Sequence, residues 1–268
     1  MSISNDRDNP FAPPKASVLE ASQEHGDFVQ EGRKLSAGRG LAWFSEAWTI
    51  FLRSPGTWVL MFVIFMLLSL LFAIIPLGGL VSSIAYPAVA AGIMIGCRDL
   101  EEGASLRVGH LLEGFKRGNT GNLLLVGVLY LVSAVLVAFL VGIGAAIAIP
   151  ALMGPLSADG VQNLSKMGMM IPIIALVGLV VAALMMPLFM ALWFAPALVV
   201  FHDMQPMAAM KASFFACLRN IVPFLVYGIV GLVLGILALV PLGLGLLVFG
   251  PLMWITMYTG YRDIFLER

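Results

Sequence analysis

Four long stretches of this chain contain no ionisable side chain. Asp, Glu, Lys, Arg and His are missing from residues 54–97, 118–158, 167–201 and 220–261. One apolar helix of about 20 residues crosses the hydrocarbon core of a bilayer, so the first and last stretches can each hold two spans. Hydrophobic residues make up 60% and charged residues 11% of the chain. A soluble domain carries about 25% charged residues, so the composition excludes an ordinary soluble domain, and it is also too apolar for an outer-membrane barrel.

The sequence therefore predicts an all-α membrane protein with six transmembrane helices. The expected spans lie at about 57–75, 80–97, 123–149, within 167–200, 221–240 and 244–261. Turns without charge close the first and last hairpins, at Pro76-Leu77-Gly78-Gly79 and Pro241-Leu242-Gly243. The fourth stretch is longer than one straight span requires. We interpret it as one long helix bent at Pro187 or Pro196, with two short spans as the alternative.

Residues 1–38 form the first predicted domain, a disordered cytoplasmic tail, because they are polar and contain three prolines. The second is a polytopic membrane domain at 39–268. Its first helix, Leu41–Arg53, is predicted to lie in the lipid headgroup layer. The apolar face of this helix consists of Leu41, Phe44, Trp48, Phe51 and Leu52. Similar amphipathic segments are expected at about 106–116 and 206–219.

The basic residues predict the orientation. Of the 15 Lys and Arg residues, only Lys166 lies on the side of the single large loop, at about 150–167. The positive-inside rule then places both termini in the cytoplasm. No signal peptide precedes the first span, and we expect a multi-pass protein of a bacterial inner membrane.

Charged residues at the helix ends suggest an internal repeat. We interpret the membrane domain as three parallel copies of an interfacial helix followed by a helical hairpin, at about 40–100, 101–204 and 205–264. An arginine opens each hairpin, and a basic residue followed by Asp closes it. Pro76 lies 23 residues after Arg53, and Pro241 lies 22 residues after Arg219. This agreement is what favours the repeat over chance placement of arginine at cytoplasmic helix ends.

The repeat brings together a set of candidate residues, which we call the collar. They are predicted either to pair across units as a clamp or to bind lipid phosphates. The collar consists of Arg53, Arg98, Asp99, Arg117, His202, Asp203, Arg219, Arg262 and Asp263.

Several segments resemble a known family. They are Asn9-Pro10-Phe11-Ala12-Pro13-Pro14-Lys15, Gly38-Arg39-Gly40 with Trp43 and Pro55, and the region from Val200-Phe201-His202-Asp203 to Tyr261-Arg262-Asp263-Ile264-Phe265. The chain is similar here to uncharacterised proteobacterial six-helix inner-membrane proteins. That family is distantly similar to the membrane domain attached to some glycerophosphodiester phosphodiesterases. The resemblance implies a location and no catalytic residues.

The spans contain no acid, base or histidine, which argues against proton-coupled carriers, ion pumps and intramembrane proteases. The three histidines lack metal-ligand spacing. We therefore predict no catalytic, cofactor or metal residues, no enzyme activity and no nucleic-acid partner.

The leading interpretation is a non-enzymatic scaffold, assembly or envelope-maintenance factor, in contact with membrane lipids and with a protein partner through the tail. The alternative is a transporter or flippase of an amphipathic or lipid-like solute. The third interpretation is an enzyme acting on lipid headgroups, with Asp99, Asp203 and Asp263 as its carboxylates. The sequence leaves the oligomeric state open, and Gly92-x-x-x-Gly96 favours packing within the bundle over a dimer face.

Overall fold

The structure is a computed structural model, and it describes residues 26–153 and 164–267. In chain order its helices are α1 (Arg39–Arg53), α2 (Pro55–Ile74), α3 (Gly78–Glu101), a 3-10 helix (Val108–Phe115), α4 (Thr120–Met153), α5 (Leu164–Trp193), α6 (Ala195–His202), α7 (Pro206–Arg219), α8 (Ile221–Leu239) and α9 (Leu246–Phe265). The all-helical class predicted from the sequence is confirmed.

Five of the predicted spans are helices long and apolar enough to cross a membrane. They are Pro55–Ile74, Gly78–Glu101, Thr120–Ile147, Ile171–His202 and Ile221–Leu239. The sixth predicted span corresponds to α9, which is 20 residues long but is not among these five. Polar side chains between Tyr258 and Asp263 lower its hydropathy, and most of α9 is buried among other helices. The count of six spans is therefore not confirmed.

The two hairpin turns lie where the sequence predicts them. Leu77 and Leu242 adopt left-handed backbone conformations with φ of 64° and 54°. Gly78 packs so closely on the carbonyl of Phe72 that a Cβ would lie 2.0 Å from that oxygen. Only glycine fits such an approach, which explains why the first turn is so short.

The fourth span is one run of helix broken at one point. Helix α5 continues through Pro187, and the break falls at Phe194, directly before α6 with Pro196 in its first turn. Ser213 of α7 bridges the break, because its hydroxyl accepts from the Phe194 N–H at 2.9 Å and donates to the Met190 carbonyl at 2.6 Å. One side chain thus replaces the hydrogen bond that the helix loses.

We expect the substitution Ser213→Ala to cost about 1–3 kcal/mol, because it leaves the buried Phe194 N–H without an acceptor and the Met190 carbonyl with only the weak Cys217 thiol donor at 3.6 Å. Ser213 is 0% exposed. The matched control is Ser45→Ala, whose exposed hydroxyl bonds only within its own helix and which should change stability by less than about 0.5 kcal/mol. Unfolding in detergent, followed by helical circular dichroism, measures both. Equal stability of the two variants would show that the bridge is dispensable.

The core lies at one end of the bundle. We call it the charged end, because residues 26–54, 98–120, 202–220 and 261–267 meet there. Among the apolar windows of the five candidate spans, that of α3 is 56% buried, whereas those of α2, α4, α5 and α8 are 0–17% buried. Helix α3 and the C-terminal half of α9 therefore form the centre, and four helices present apolar surface to the surroundings.

Helix α1 differs from the interfacial helix predicted for it. It buries Trp43, Ala47 and Ile50 against α8 and α9, whereas Leu41, Trp48 and Leu52 are exposed. The prediction placed these exposed residues on one face with Phe44 and Phe51, which are buried. The helix ends at Arg53 as predicted but begins two residues earlier, at Arg39, and protein rather than lipid headgroups covers most of its aromatic surface.

The chain before α1 is also packed. Residues 26–38, which we call the strap, lie against the C-terminus: the Val29 N–H donates to the Phe265 carbonyl at 2.8 Å, and the Arg33 N–H donates to the Ile264 carbonyl at 2.7 Å. The Asn220 side chain accepts from the Leu35 N–H and donates to the Arg33 carbonyl. The predicted disordered tail extended to residue 38, whereas residues 26–38 are packed on the C-terminus. Residues 1–25 lie outside the described residues.

Candidate functional site

Asp263, on α9, is the most buried carboxylate of the charged end at 4% exposure. Its Oδ2 accepts from Arg39 Nε at 2.5 Å and from Trp43 Nε1 at 3.0 Å, both on α1. Arg33 of the strap donates to the Asp263 backbone carbonyl at 2.8 Å. A single residue of α9, through its carboxylate and its backbone carbonyl, therefore contacts both α1 and the strap.

Arg262, the neighbour of Asp263, contacts two further carboxylates. Its guanidinium lies 2.6 Å from Glu46 Oε2 on α1 and forms an ion pair with Glu101 on α3. The Tyr258 hydroxyl donates to Glu101 at 2.8 Å, and Arg39 also pairs with Glu46 at 2.7 Å. These contacts connect α1, α3 and α9 at their charged ends.

We call this set the charge network. Its members are Arg33, Arg39, Glu46, Glu101, Arg262 and Asp263. Three guanidinium groups and three carboxylates cancel formally, which lowers the cost of burying them. Burial lowers the pKa of Arg39, but hydrogen bonds to Asp263 and Glu46 outweigh that effect and leave its pKa raised. Arg39 therefore stays charged, and the network is suited to holding helices together.

The three arginines predicted to open hairpins lie outside the charge network. Arg53 Nη1 donates to the Leu100 carbonyl at 2.6 Å, near the C-terminus of α3, where a cation is favourable. Arg219 donates to the Glu31 and Gly32 carbonyls of the strap at 3.0 Å. The Arg117 side chain is exposed. Within residues 26–153 and 164–267 none of the three arginines forms an ion pair with Asp99, Asp203 or Asp263. The ion pairs predicted for the clamp are therefore not the ones that form.

The remaining collar residues make separate local contacts. Asp99 lies 3.0 Å from His110 Nε2, and Asp203 accepts from Asn119 at 3.3 Å. Arg98 stacks over the Phe201 ring at 4.5 Å. His202 Nε2 lies 2.6 Å from the Tyr261 hydroxyl, and its ring stacks on Phe28 at 3.6 Å. Of the nine collar residues, Arg262 and Asp263 belong to the ion-paired cluster, and Arg98 and Asp203 interact electrostatically with His202.

The sequence missed Arg39, Glu46 and Glu101 as partners. Arg39 and Glu46 are seven residues apart in α1, and this spacing puts them on the same face. The predicted helix began only at Leu41, so the sequence analysis did not place Arg39 on that face. Nothing local connects either residue to Asp263, which lies 224 positions after Arg39 in the chain.

Two of the cavities among the described residues border α5. The first, of about 370 Å³, is bounded by α3, α4, α5 and α9, and we call it the hydroxyl cavity. Its lining consists of Ser82, Ser83, Tyr86, Tyr130, Phe189, Leu192, Trp193 and Met257. The second, of about 380 Å³, lies between α5, α7 and α8 and is almost entirely apolar. Phe189 and Trp193 line both, and none of Asp99, Asp203 and Asp263 lines either.

Both cysteines, Cys97 and Cys217, are free and buried. Burial raises the pKa of the Cys217 thiol to about 12, so almost none of it is thiolate at neutral pH. We therefore expect no labelling of the folded protein by a maleimide at pH 7, and labelling of both thiols after denaturation. The control is Met207→Cys, at a position 63% exposed on the same helix as Cys217, which should react without denaturation. Rapid labelling of the unaltered folded chain would contradict the packing around α7.

Within the described residues no group of three or more His, Cys, Asp or Glu side chains could hold a metal ion. The geometry at the charged end is that of structural ion pairs, and the cavities contain hydroxyl and aromatic groups. The arrangement can therefore fix helix positions and accommodate an uncharged molecule.

Comparison with known proteins agrees with a membrane location. The chain is 32% identical over 200 residues to a "probable inner membrane protein" of Burkholderia thailandensis, and the match covers 73% of each chain. No family model matches the chain, and no solved structure matches it. The predicted membership of an inner-membrane family is confirmed. Identity of this extent shows common descent, and the chain belongs to the same family of multi-pass inner-membrane proteins as the Burkholderia protein.

Proposed function

We propose that this chain is a non-enzymatic scaffold, assembly or envelope-maintenance factor of the bacterial inner membrane. The observation that carries this proposal is the charge network, which ties the strap, α1, α3 and α9 into one unit. Paired charges of this kind fix the shape of the charged end. A fixed surface at a membrane face is what a scaffold offers to its partners.

The charged end also presents apolar side chains that could contact another protein. Leu112 on the 3-10 helix is 56% exposed, and Met207 and Phe215 on α7 are 63% and 46% exposed. These residues lie on the short helices rather than on the membrane-length ones. Exposed apolar groups beside charged ones are typical of protein interaction surfaces.

Photocrosslinking from single positions in cells tests the scaffold proposal. A photoreactive residue at Leu112 or Met207 should give a discrete adduct with one protein partner. The matched control is Val135, 57% exposed on α4, which should give adducts with lipid only. If the charged-end positions also give lipid adducts alone, and deletion of the chain leaves envelope permeability unchanged, the scaffold proposal fails.

We further propose six spans in three parallel repeats, with the charged end in the cytoplasm. The element order supports the repeat, because one short helix precedes two long helical runs three times. The positive-inside rule supports the orientation. A reporter active only outside the cytoplasm should be active when fused after Gly160 and silent after Gly103 or Gln205. Activity after Gly103 would reverse the orientation.

A transporter or flippase of a lipid-like solute is the second candidate function, favoured by the two cavities beside exposed helices. Against it, the charged end is filled by large side chains such as Trp43, Phe194 and Phe265, which are at most 1% exposed. Purified protein in vesicles with fluorescent lipids in both leaflets provides the test. Accelerated loss of inner-leaflet fluorescence to an impermeant quencher would support transport.

An enzyme built on Asp99, Asp203 and Asp263 has the least support, because the three carboxylates bind different partners and line neither cavity. We expect no hydrolysis of glycerophosphodiesters by the purified chain. Its distant similarity to the membrane domain of some glycerophosphodiester phosphodiesterases stays a prediction.

A further inference from the structure

The hydroxyl cavity contains polar groups that the protein leaves without partners. Among the described residues, the hydroxyls of Ser82, Tyr86 and Tyr130 form no hydrogen bond, although all three line this cavity. Ser83 differs, because its hydroxyl donates to the Gly79 carbonyl of its own helix at 2.8 Å. Three hydroxyl groups, two from α3 and one from α4, therefore line the same cavity without a hydrogen-bond partner in the described part of the chain.

These hydroxyls lie on the membrane-length segments of α3 and α4. Ser82 and Tyr86 precede Arg98 by 16 and 12 residues on the same helix, which corresponds to about 24 and 18 Å of helix. Tyr130 follows Thr120, the first residue of α4, by 10 residues, which corresponds to about 15 Å of helix. The hydrocarbon core is about 30 Å thick, and a polar group without a partner is costly there. A ligand that accepts hydrogen bonds would remove this cost.

The lining of the cavity defines the chemistry of such a ligand. It contains no Asp, Glu, Lys, Arg or His, so a charged headgroup would have no counter-charge. Phe189, Leu192, Trp193 and Met257 supply aromatic and aliphatic contacts. The volume is near the lower end of the range for small-molecule sites, enough for the ring or ester region of a lipid.

We propose that the hydroxyl cavity binds the carbonyl group of an uncharged lipid, with the hydroxyls of Ser82, Tyr86 and Tyr130 as hydrogen-bond donors. Prenyl quinones and diacylglycerols both present this chemistry. The alkyl or prenyl chain extends between the exposed faces of α4 and α5 into the bilayer. This inference deepens the second candidate function, but it requires binding only and no movement of lipid across the membrane.

The full chain in nanodiscs of saturated phosphatidylcholine provides the test, with Trp193 as the built-in reporter. A short-chain quinone and a brominated diacylglycerol are titrated separately, since both quench tryptophan fluorescence on contact. We expect saturable quenching by at least one of them, and loss of the saturable component in Trp193→Phe. The lipid that gives saturable quenching shows whether the cavity binds a quinone or a diacylglycerol. If neither lipid gives saturable quenching, the proposal is overturned.

A matched pair of variants assigns the binding to the hydroxyls. Tyr86→Phe combined with Tyr130→Phe removes two donors that have no protein partner, so folding should be unaffected. Affinity should fall about tenfold, as expected for two modest hydrogen bonds. The control is Tyr227→Phe, because the Tyr227 hydroxyl bonds Thr256 at 2.9 Å and does not line this cavity. Unchanged affinity in the double variant would overturn the assignment.

The result of this binding test can be distinguished from the results of the flippase and scaffold tests. Saturable binding without lipid movement in the vesicle assay leaves this inference standing and removes the flippase. Lipid movement without binding at Trp193 would place the path elsewhere, and the scaffold proposal depends on neither result.

Discussion

Replacing Asp263 by alanine should destabilise the protein by about 3 kcal/mol. Removing one partner of a buried ion pair costs about 3–5 kcal/mol, because the other charge stays behind without compensation. We take the lower end of that range, since Arg39 keeps its ion pair with Glu46 at 2.7 Å, and its side chain is 28% exposed so that water screens part of its charge. The Trp43 N–H loses its acceptor in the same variant. Unfolding in a mild detergent, followed by tryptophan fluorescence, measures the effect.

Two controls distinguish pairing from a general effect of charge removal. Asp203→Ala removes an acid with the same position in the predicted repeat, but its described hydrogen bond is a single long contact to Asn119. It should cost less than about 1 kcal/mol. A double-mutant cycle of Asp263→Ala with Arg39→Ala should show that the two losses overlap rather than add. Additive losses, or equal effects of Asp203→Ala and Asp263→Ala, would contradict the role of the charge network.

Features that depend on local chemistry were predictable from the sequence. Pro187 and Pro196 both lack a backbone N–H, so a bend was expected at one of them, and the break falls at Phe194 beside Pro196 while the helix continues through Pro187. Pro76 and Gly78 mark the first hairpin turn for similarly local reasons. The five membrane-length helices follow from runs of apolar residues. In each case the physical cause lies within a few positions of its effect.

The environment of α1 was not predictable in the same way. Helical periodicity shows which residues share a face, but it does not show whether lipid headgroups or other helices cover that face. Trp43 belongs to a helix that was expected in the lipid headgroup layer, where tryptophan is enriched. It lies instead in the core, with its N–H on Asp263, which is 220 positions away. The pairing exists only after α1 has packed against α9.

The contacts of the strap and of the collar residues could not be predicted from the sequence either. Composition predicts disorder for a polar segment, but hydrogen bonds from the strap to Phe265, Ile264 and Asn220 offset the entropy that ordering costs. The collar residues share positions in a sequence pattern, and this pattern does not fix their partners. Arg219 binds strap carbonyls, whereas Arg53 binds the end of α3. Long-range packing decides such contacts.

The second large effect is expected at Gly92 on α3. The 3-10 helix approaches α3 so closely there that a Cβ on Gly92 would lie 2.1 Å from the His110 carbonyl oxygen. The contact is with backbone, so no side chain can rotate away, and Gly92→Ala should cost about 3 kcal/mol or more. Gly92 therefore packs within the bundle, as the sequence favoured, rather than on a dimer face.

The matched control at Gly142 of α4 should respond in the opposite direction. No atom lies within 4 Å of a Cβ built on Gly142, and alanine is favoured over glycine in a helix by about 1 kcal/mol. Gly142→Ala should therefore unfold at the same temperature as the parent chain or slightly higher, while Gly92→Ala unfolds at a clearly lower temperature. Circular dichroism melts in one detergent measure both variants. If Gly92→Ala keeps the stability of the parent and instead dissociates an oligomer on size exclusion, α3 presents this glycine to a second copy of the chain and the 3-10 helix is misplaced.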